Sequence, residues 1–135
     1  MQGNYASAQK YFLKAIARDR FIILPRLNLG KTFLKMGDAT AAIKTFEEVL
    51  MIVPDDERAL VNLLKIYWDA RDRDKVFSSG QRVVRASKNP ETLTNAGIMF
   101  QTLGDHEKAR TAYQIAVAVD ASYIKARQLL EQLEH

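Results

Sequence analysis

The sequence predicts an all-α fold made of helix pairs repeated along the chain, and three observations carry that prediction. First, one layout recurs. GNYASAQKYFLKAIARDR from Gly3, GDATAAIKTFEEVLMIVP from Gly37 and GDHEKARTAYQIAVAVDA from Gly104 each open on Gly and a small or polar residue. Each then sets Ala and an aromatic at the same offsets: Ala8 and Phe12, Ala42 and Phe46, Ala109 and Tyr113. Gly3 and Gly37 are 34 residues apart, the next equivalent position is Arg71, and Gly104 follows 33 residues later. Two helices and two turns fill such a period. Second, apolar residues recur every three or four positions, the spacing of an amphipathic helix. Third, Gly and Pro punctuate the pattern at its turns.

The elements follow in order. A helix over 5–18 carries Tyr5, Ala8, Tyr11, Phe12 and Ala15. The next, over 24–36, has Pro25 in its first turn, where a missing N–H costs nothing, and Leu27, Leu29, Phe33 and Leu34 as its apolar set. Gly37 then supplies a turn and Asp38 a cap for the helix over 39–53, with Ala42, Ile43, Phe46, Val49 and Leu50 facing inward and Pro54 closing it. A fourth helix spans 56–70, its start marked by Asp55, Asp56 and Glu57, which complement the helix dipole. The fifth, over 73–87, holds Ser78, Ser79 and Gly80 at its centre; lost bulk and lost propensity make it the softest expected element, with slower-exchanging amides expected over 42–52 than over 76–86. Pro90 opens a helix over 90–103, and Gly104 and Asp105 lead into one over 106–119. The last, over 122–133, carries Ile124, Ala126, Leu129 and Leu130 as a covering face, with Lys125, Arg127 and Glu131 toward solvent. Gly3, Gly37 and Gly104 are expected between helices, while Gly30 and Gly97 lie inside first helices. A mid-helix Gly costs about 1 kcal/mol against Ala, so its recurrence points to close helix contact.

Bulk properties fit one globular domain: 135 residues, 47% hydrophobic and 27% charged. No apolar run approaches the roughly 20 residues of a membrane helix, and the opening MQGNYASAQK lacks the apolar stretch of a signal peptide. Compartment stays open. The absence of Cys removes thiolate chemistry and Cys-based metal sites. The net charge of +4 is modest but concentrated: between Arg58 and Lys88 stand eight basic residues and three acids. The closing Leu133, Glu134 and His135 look like the start of a vector-encoded Leu-Glu-His junction, so no function is expected of His135.

The repeat resembles the tetratricopeptide repeat, with its W-x2-L-G-x2-Y, A-x3-F and P signature. Residues 23–56 match through Leu29, Gly30, Phe33, Ala42, Phe46 and Pro54, with Arg26 for Trp. Residues 90–123 match through Gly97, Phe100, Ala109 and Tyr113. Residues 57–89 are degenerate: Leu63 and Tyr67 remain, but Leu64 stands for Gly, Val76 for Ala and Gly80 for Phe. Residues 3–22 match the second half of a repeat, and 122–133 a capping helix. The resemblance implies a single domain over 1–135, a right-handed α-solenoid of antiparallel pairs, whose first helices line a concave groove.

No catalytic constellation, metal-ligand spacing or phosphate-cradling loop stands out, so no enzyme, cofactor or metal is expected. His106 sits in a first turn without a second His or Cys at ligand spacing. Tyr11, Phe12, Phe33, Phe46, Tyr67, Trp68, Phe100 and Tyr113 read as packing residues rather than a base-stacking platform. One polar set recurs: Asn28, Asn62 and Asn95 share one place in three first helices. An amide donates and accepts, so it can hold an extended backbone whatever its side chains. Lys31 and Lys65 lie one turn after two of them, and Arg58 one turn before Asn62. These six residues form the candidate peptide groove, and the charge points to an acidic segment. The family's carboxylate-clamp subgroup is matched only at Asn62. The expected function is a noncatalytic protein-interaction scaffold. Two alternatives stand beside it: a helical repeat binding nucleic acid through the basic 57–89 repeat, and self-association through residues 5–18.

Overall fold

The computed structural model describes residues 2–135, with side chains from Asn4 onward. Among the described residues there are eight helices and no strand: α1 (Gln2–Arg18), α2 (Leu24–Lys35), α3 (Ala39–Ile52), α4 (Glu57–Asp69), α5 (Arg73–Ala86), α6 (Pro90–Thr102), α7 (His106–Val119) and α8 (Ile124–Glu134). Every expected helix is present, most bounds within a residue or two. Gly3 departs from expectation: α1 begins at Gln2, so Gly3 lies within its first turn rather than at a turn between helices. No helix among the described residues is long and apolar enough to cross a membrane. The chain forms two compact units, residues 1–66 and 67–135.

In the first unit, α2 packs on α1 and α3. Ala42, Phe46 and Val49 of α3 are wholly buried, as are Leu27 of α2 and Ala59 and Leu60 of α4. Gly30 explains how α2 and α3 close: an alanine Cβ there would stand 2.6 Å from the Phe46 ring. Asp38 caps α3 by accepting from Ala41 N at 3.0 Å, and Asp56 caps α4 by accepting from Ala59 N at 3.0 Å. Arg26, at the place of the repeat's Trp, is buried. Its Nη1 donates to the Ile22 carbonyl at 2.9 Å, and its Nε stands 3.6 Å from Glu48 on α3, an ion-pair contact too long for a hydrogen bond.

In the second unit, α6 packs on α5 and α7, and α8 on α7. Gly97 receives the Tyr113 ring as Gly30 receives Phe46, and Tyr113 Oη donates to Gln101 Oε1 at 2.7 Å. Gly80 is not the packing loss the sequence suggested. A Cβ there would lie 2.7 Å from the Phe100 ring, which fills the space and stacks on Phe77 with centroids 5.9 Å apart. On α8, Ala126 is buried with Leu93 and Ala116, whereas Ile124 is 66% exposed and takes no part in the covering face.

The turns share one hydrogen-bond pattern. Gly37 N donates to Leu34 O and Asp38 N to Phe33 O; Gly104 N donates to Gln101 O and Asp105 N to Phe100 O. This Schellman closure needs a left-handed residue, and Gly37 and Gly104 have φ of 81° and 89°. Arg71 N and Asp72 N make the same bonds to Trp68 O and Tyr67 O, with Arg71 at φ 57°. A β-carbon in that region costs about 1–2 kcal/mol. The freer unfolded chain of a Gly variant returns part of that. Arg71→Gly is therefore expected to raise stability by about 0.5–1 kcal/mol, while Arg71→Ala, which keeps the β-carbon, gives no comparable gain. Urea unfolding of the three proteins checks this; equal gains from Gly and Ala would exclude relief of backbone strain.

Candidate interaction face

Helical spacing sets one polar stripe on each first helix. On α4, burial of Ala59, Leu60, Leu63, Leu64, Ile66 and Tyr67 leaves Arg58, Asn62 and Lys65 one turn apart on the opposite side. On α2, the corresponding stripe runs Leu24, Asn28, Lys31 and Lys35, with Leu24 57% exposed and both lysines exposed. Five of the six expected groove residues thus lie in the first unit. Asn95 lies exposed on α6 in the second unit, where Glu91 and Ile98 flank it and no cation continues the stripe. Leu24 and Lys35 escaped the sequence reading, although the same three-and-four spacing from Asn28 and Lys31 reaches both.

The side chains are not equally available. Asn62 Nδ2 donates to the Arg58 carbonyl at 2.7 Å, so one amide N–H is held by its own helix. Arg58 Nη2 sits 3.0 Å from the buried Asp56 carboxylate and is partly neutralised. Lys31, Lys35 and Lys65 make no ion pair among the described residues. The half-buried Asn28 accepts through its backbone carbonyl from Thr32 Oγ1 at 2.8 Å.

The basic 57–89 repeat is also partly committed. Besides Arg58, Arg73 Nη2 donates to Leu103 O at 2.9 Å and its guanidinium lies 5.1 Å from the Phe77 ring centre. Lys75 lies 5.1 Å from the Tyr67 ring centre. Within the second unit a groove of about 430 Å³ runs between α5 and α7, with Val84, Arg85, Phe100 and Thr111 among its walls. Near it, Asp105 caps α7 through Lys108 N and pairs with Lys108 Nζ at 2.8 Å; those bonds hold its carboxyl below the usual carboxylate range. Of the aromatics expected in the core, Phe46, Phe100, Tyr113 and Tyr67 are buried, but Tyr11 is 69% exposed.

Comparison with known proteins agrees with this architecture. The family model for the tetratricopeptide repeat matches residues 26–56. BBSome complex member BBS4 from Bos taurus is 30% identical over 93 residues, which are 68% of this chain and 18% of that protein, so the chain spans under a fifth of that relative. Among solved structures, MamA from Desulfovibrio magneticus superposes with a TM-score of 0.71 at 21% identity, over 98% of this chain and 75% of that one. A tetratricopeptide repeat protein from Parabacteroides merdae gives 0.79 at 17% identity, over 98% and 55%. At such identities the likeness establishes the fold: all-α, of the helical-repeat solenoid class.

Proposed function

We propose, for a chain that belongs to the tetratricopeptide-repeat family, that the α2 and α4 stripes hold an extended acidic segment of a partner protein. Proteins of this family are generally noncatalytic scaffolds for protein–protein interaction. The observation that carries the finer reading is the pairing, on each of two first helices of one compact unit, of an asparagine with an exposed lysine one turn away. Asn62 is preorganised by its bond to the Arg58 carbonyl, and its Oδ1 serves as acceptor for a partner N–H. Asn28 offers both halves of its amide. Lys31, Lys35 and Lys65 draw carboxylates toward the stripe and set orientation and association rate more than final affinity. Leu24 gives an apolar contact at the end of the α2 stripe.

Titration of a fluorescent acidic peptide tests this. Asn62→Ala is expected to weaken binding by about 1–3 kcal/mol, because it strands a polar group of the partner. Lys65→Glu is expected to slow association, with an effect that shrinks as salt rises. Undiminished binding by the Asn62→Ala, Lys65→Glu double variant would refute the assignment. A single-stranded RNA that binds instead, with affinity falling steeply with salt and with loss of Arg85 and Lys88, would favour the nucleic-acid reading.

A further inference from the structure

The helices α5 and α7 both pack on α6, and the groove of about 430 Å³ lies between them. Its apolar lining comes from half-buried Val84, the Phe100 ring and the aliphatic stems of Arg85 and Lys108. The Phe100 ring is held in place: it fills the space at Gly80 and stacks on Phe77. Three charged side chains line the same groove, so charge and apolar surface share one face. Two of the three are answered within the chain. Glu107 pairs with Arg110 at 2.6 Å, and Lys108 with Asp105 at 2.8 Å. Arg85 is exposed and makes no ion pair or side-chain hydrogen bond among the described residues. Gln81, one turn earlier on α5, is exposed and equally uncommitted among them. On the facing wall, Thr111 Oγ1 donates to the Glu107 carbonyl at 3.1 Å, which leaves its oxygen free to accept.

We propose that this groove takes an aromatic side chain of a partner protein, with the carboxylate of the residue beside it on Arg85. Size supports the anchor: the volume falls in the range of about 300–1,000 Å³ in which a concave site buries most of a compact group. An aromatic ring gives such a site the most buried area for the least lost freedom. Charge supports the acid, since Arg85 is the one charge of the lining without a partner, and its guanidinium meets a carboxylate through two parallel N–H groups. Glu107 turns the acid away from the α7 wall, so the occupant has one orientation. The Gln81 amide can donate to and accept from the partner's backbone. The adjoining depression around Phe77 offers no such cation: Arg73 is held by the Leu103 carbonyl, and both Arg73 and Lys108 lie over the Phe77 ring.

The test uses the full isotope-labelled chain and three short peptides that differ only at two central residues: phenylalanine–glutamate, phenylalanine–glutamine and alanine–glutamate. Amide NMR shifts are expected to place the first peptide on Gln81, Val84, Arg85 and Thr111. The glutamine peptide is expected to bind about threefold to fivefold more weakly, the worth of one exposed ion pair. The alanine peptide is expected to bind at least about tenfold more weakly, through lost apolar burial. Arg85→Gln, at an exposed position, should erase the difference between the first two peptides while the circular dichroism stays unchanged. Equal affinities of the three peptides, no binding at millimolar peptide, or a glutamate preference that survives Arg85→Gln would each overturn the proposal. So would a single-stranded RNA that displaces the first peptide from these residues, or sedimentation showing a second copy of the chain seated in the groove. The groove belongs to the second unit and Asn62 and Lys65 to the first. The Asn62→Ala, Lys65→Glu variant should therefore keep the shifts at Arg85, so failure here and failure of the stripe assignment are distinguishable.

Discussion

Replacing Gly97 with alanine is expected to destabilise the protein by about 2–3 kcal/mol, against a gain of about 1 kcal/mol that the same change brings in an unpacked helix. The added Cβ would collide with the Tyr113 ring. That ring is wholly buried and its hydroxyl is tied to Gln101, so it has no open direction in which to yield. Gly30→Ala acts in the same way on the buried Phe46. Pairing Gly97→Ala with Tyr113→Val frees the space and should show strong non-additivity in a double-mutant cycle read by urea unfolding. Gly80→Ala separates two accounts of α5. If Gly80 marks mere decay of the repeat, alanine stabilises by about 1 kcal/mol. Because the Cβ would approach Phe100, a residue 1% exposed, alanine is expected to destabilise instead.

Stability is expected to fall in alkali through Tyr113. Burial of the phenol pushes its pKa from the usual 10.0 up to about 12. A raised folded pKa means that the native state holds the proton longer than the unfolded state. The contribution is complete below about pH 10 and is lost as pH rises toward 12, amounting to about 2–3 kcal/mol across that window. Urea midpoints of wild type and Tyr113→Phe should lie close together at pH 8 and separate above pH 10 with wild type falling below the variant, because phenylalanine has no proton to lose. Parallel falls in the two proteins would assign the alkaline loss to other groups. Asp120 behaves oppositely: its bonds from Ser122 lower its pKa, so any benefit is present above the ordinary Asp range and lost in acid.

Much of the fold was legible because its determinants are local. Gly37 and Gly104 hold left-handed φ, Asp38 and Asp105 cap, and Pro25 and Pro90 open helices; each acts through its own backbone and is read one residue at a time. What escaped depends on which side chain crosses from a neighbouring helix. Gly80 looked like a defect because its occupant, Phe100, lies twenty residues on, in the next repeat. Arg26 looked like a simple departure from Trp, yet it is buried by bonding Ile22 O and approaching Glu48. Tyr11 and Ile124 fit the apolar spacing but remain exposed, since periodicity names a face without naming what covers it. The candidate site was legible as a stripe. The commitment of Arg58 to Asp56 and of Asn62 to the Arg58 carbonyl was not, because both rest on rotamer choices that spacing leaves open.

The most direct measurement is a titration of the isotope-labelled chain with an acidic extended peptide, followed by amide and side-chain NMR shifts. Recognition through the first-helix stripes predicts that the largest changes fall on Asn28, Lys31, Asn62 and Lys65, including the Asn side-chain N–H signals. Changes confined to α5 and α7, or to α1, with the α2 and α4 stripes silent, would contradict it.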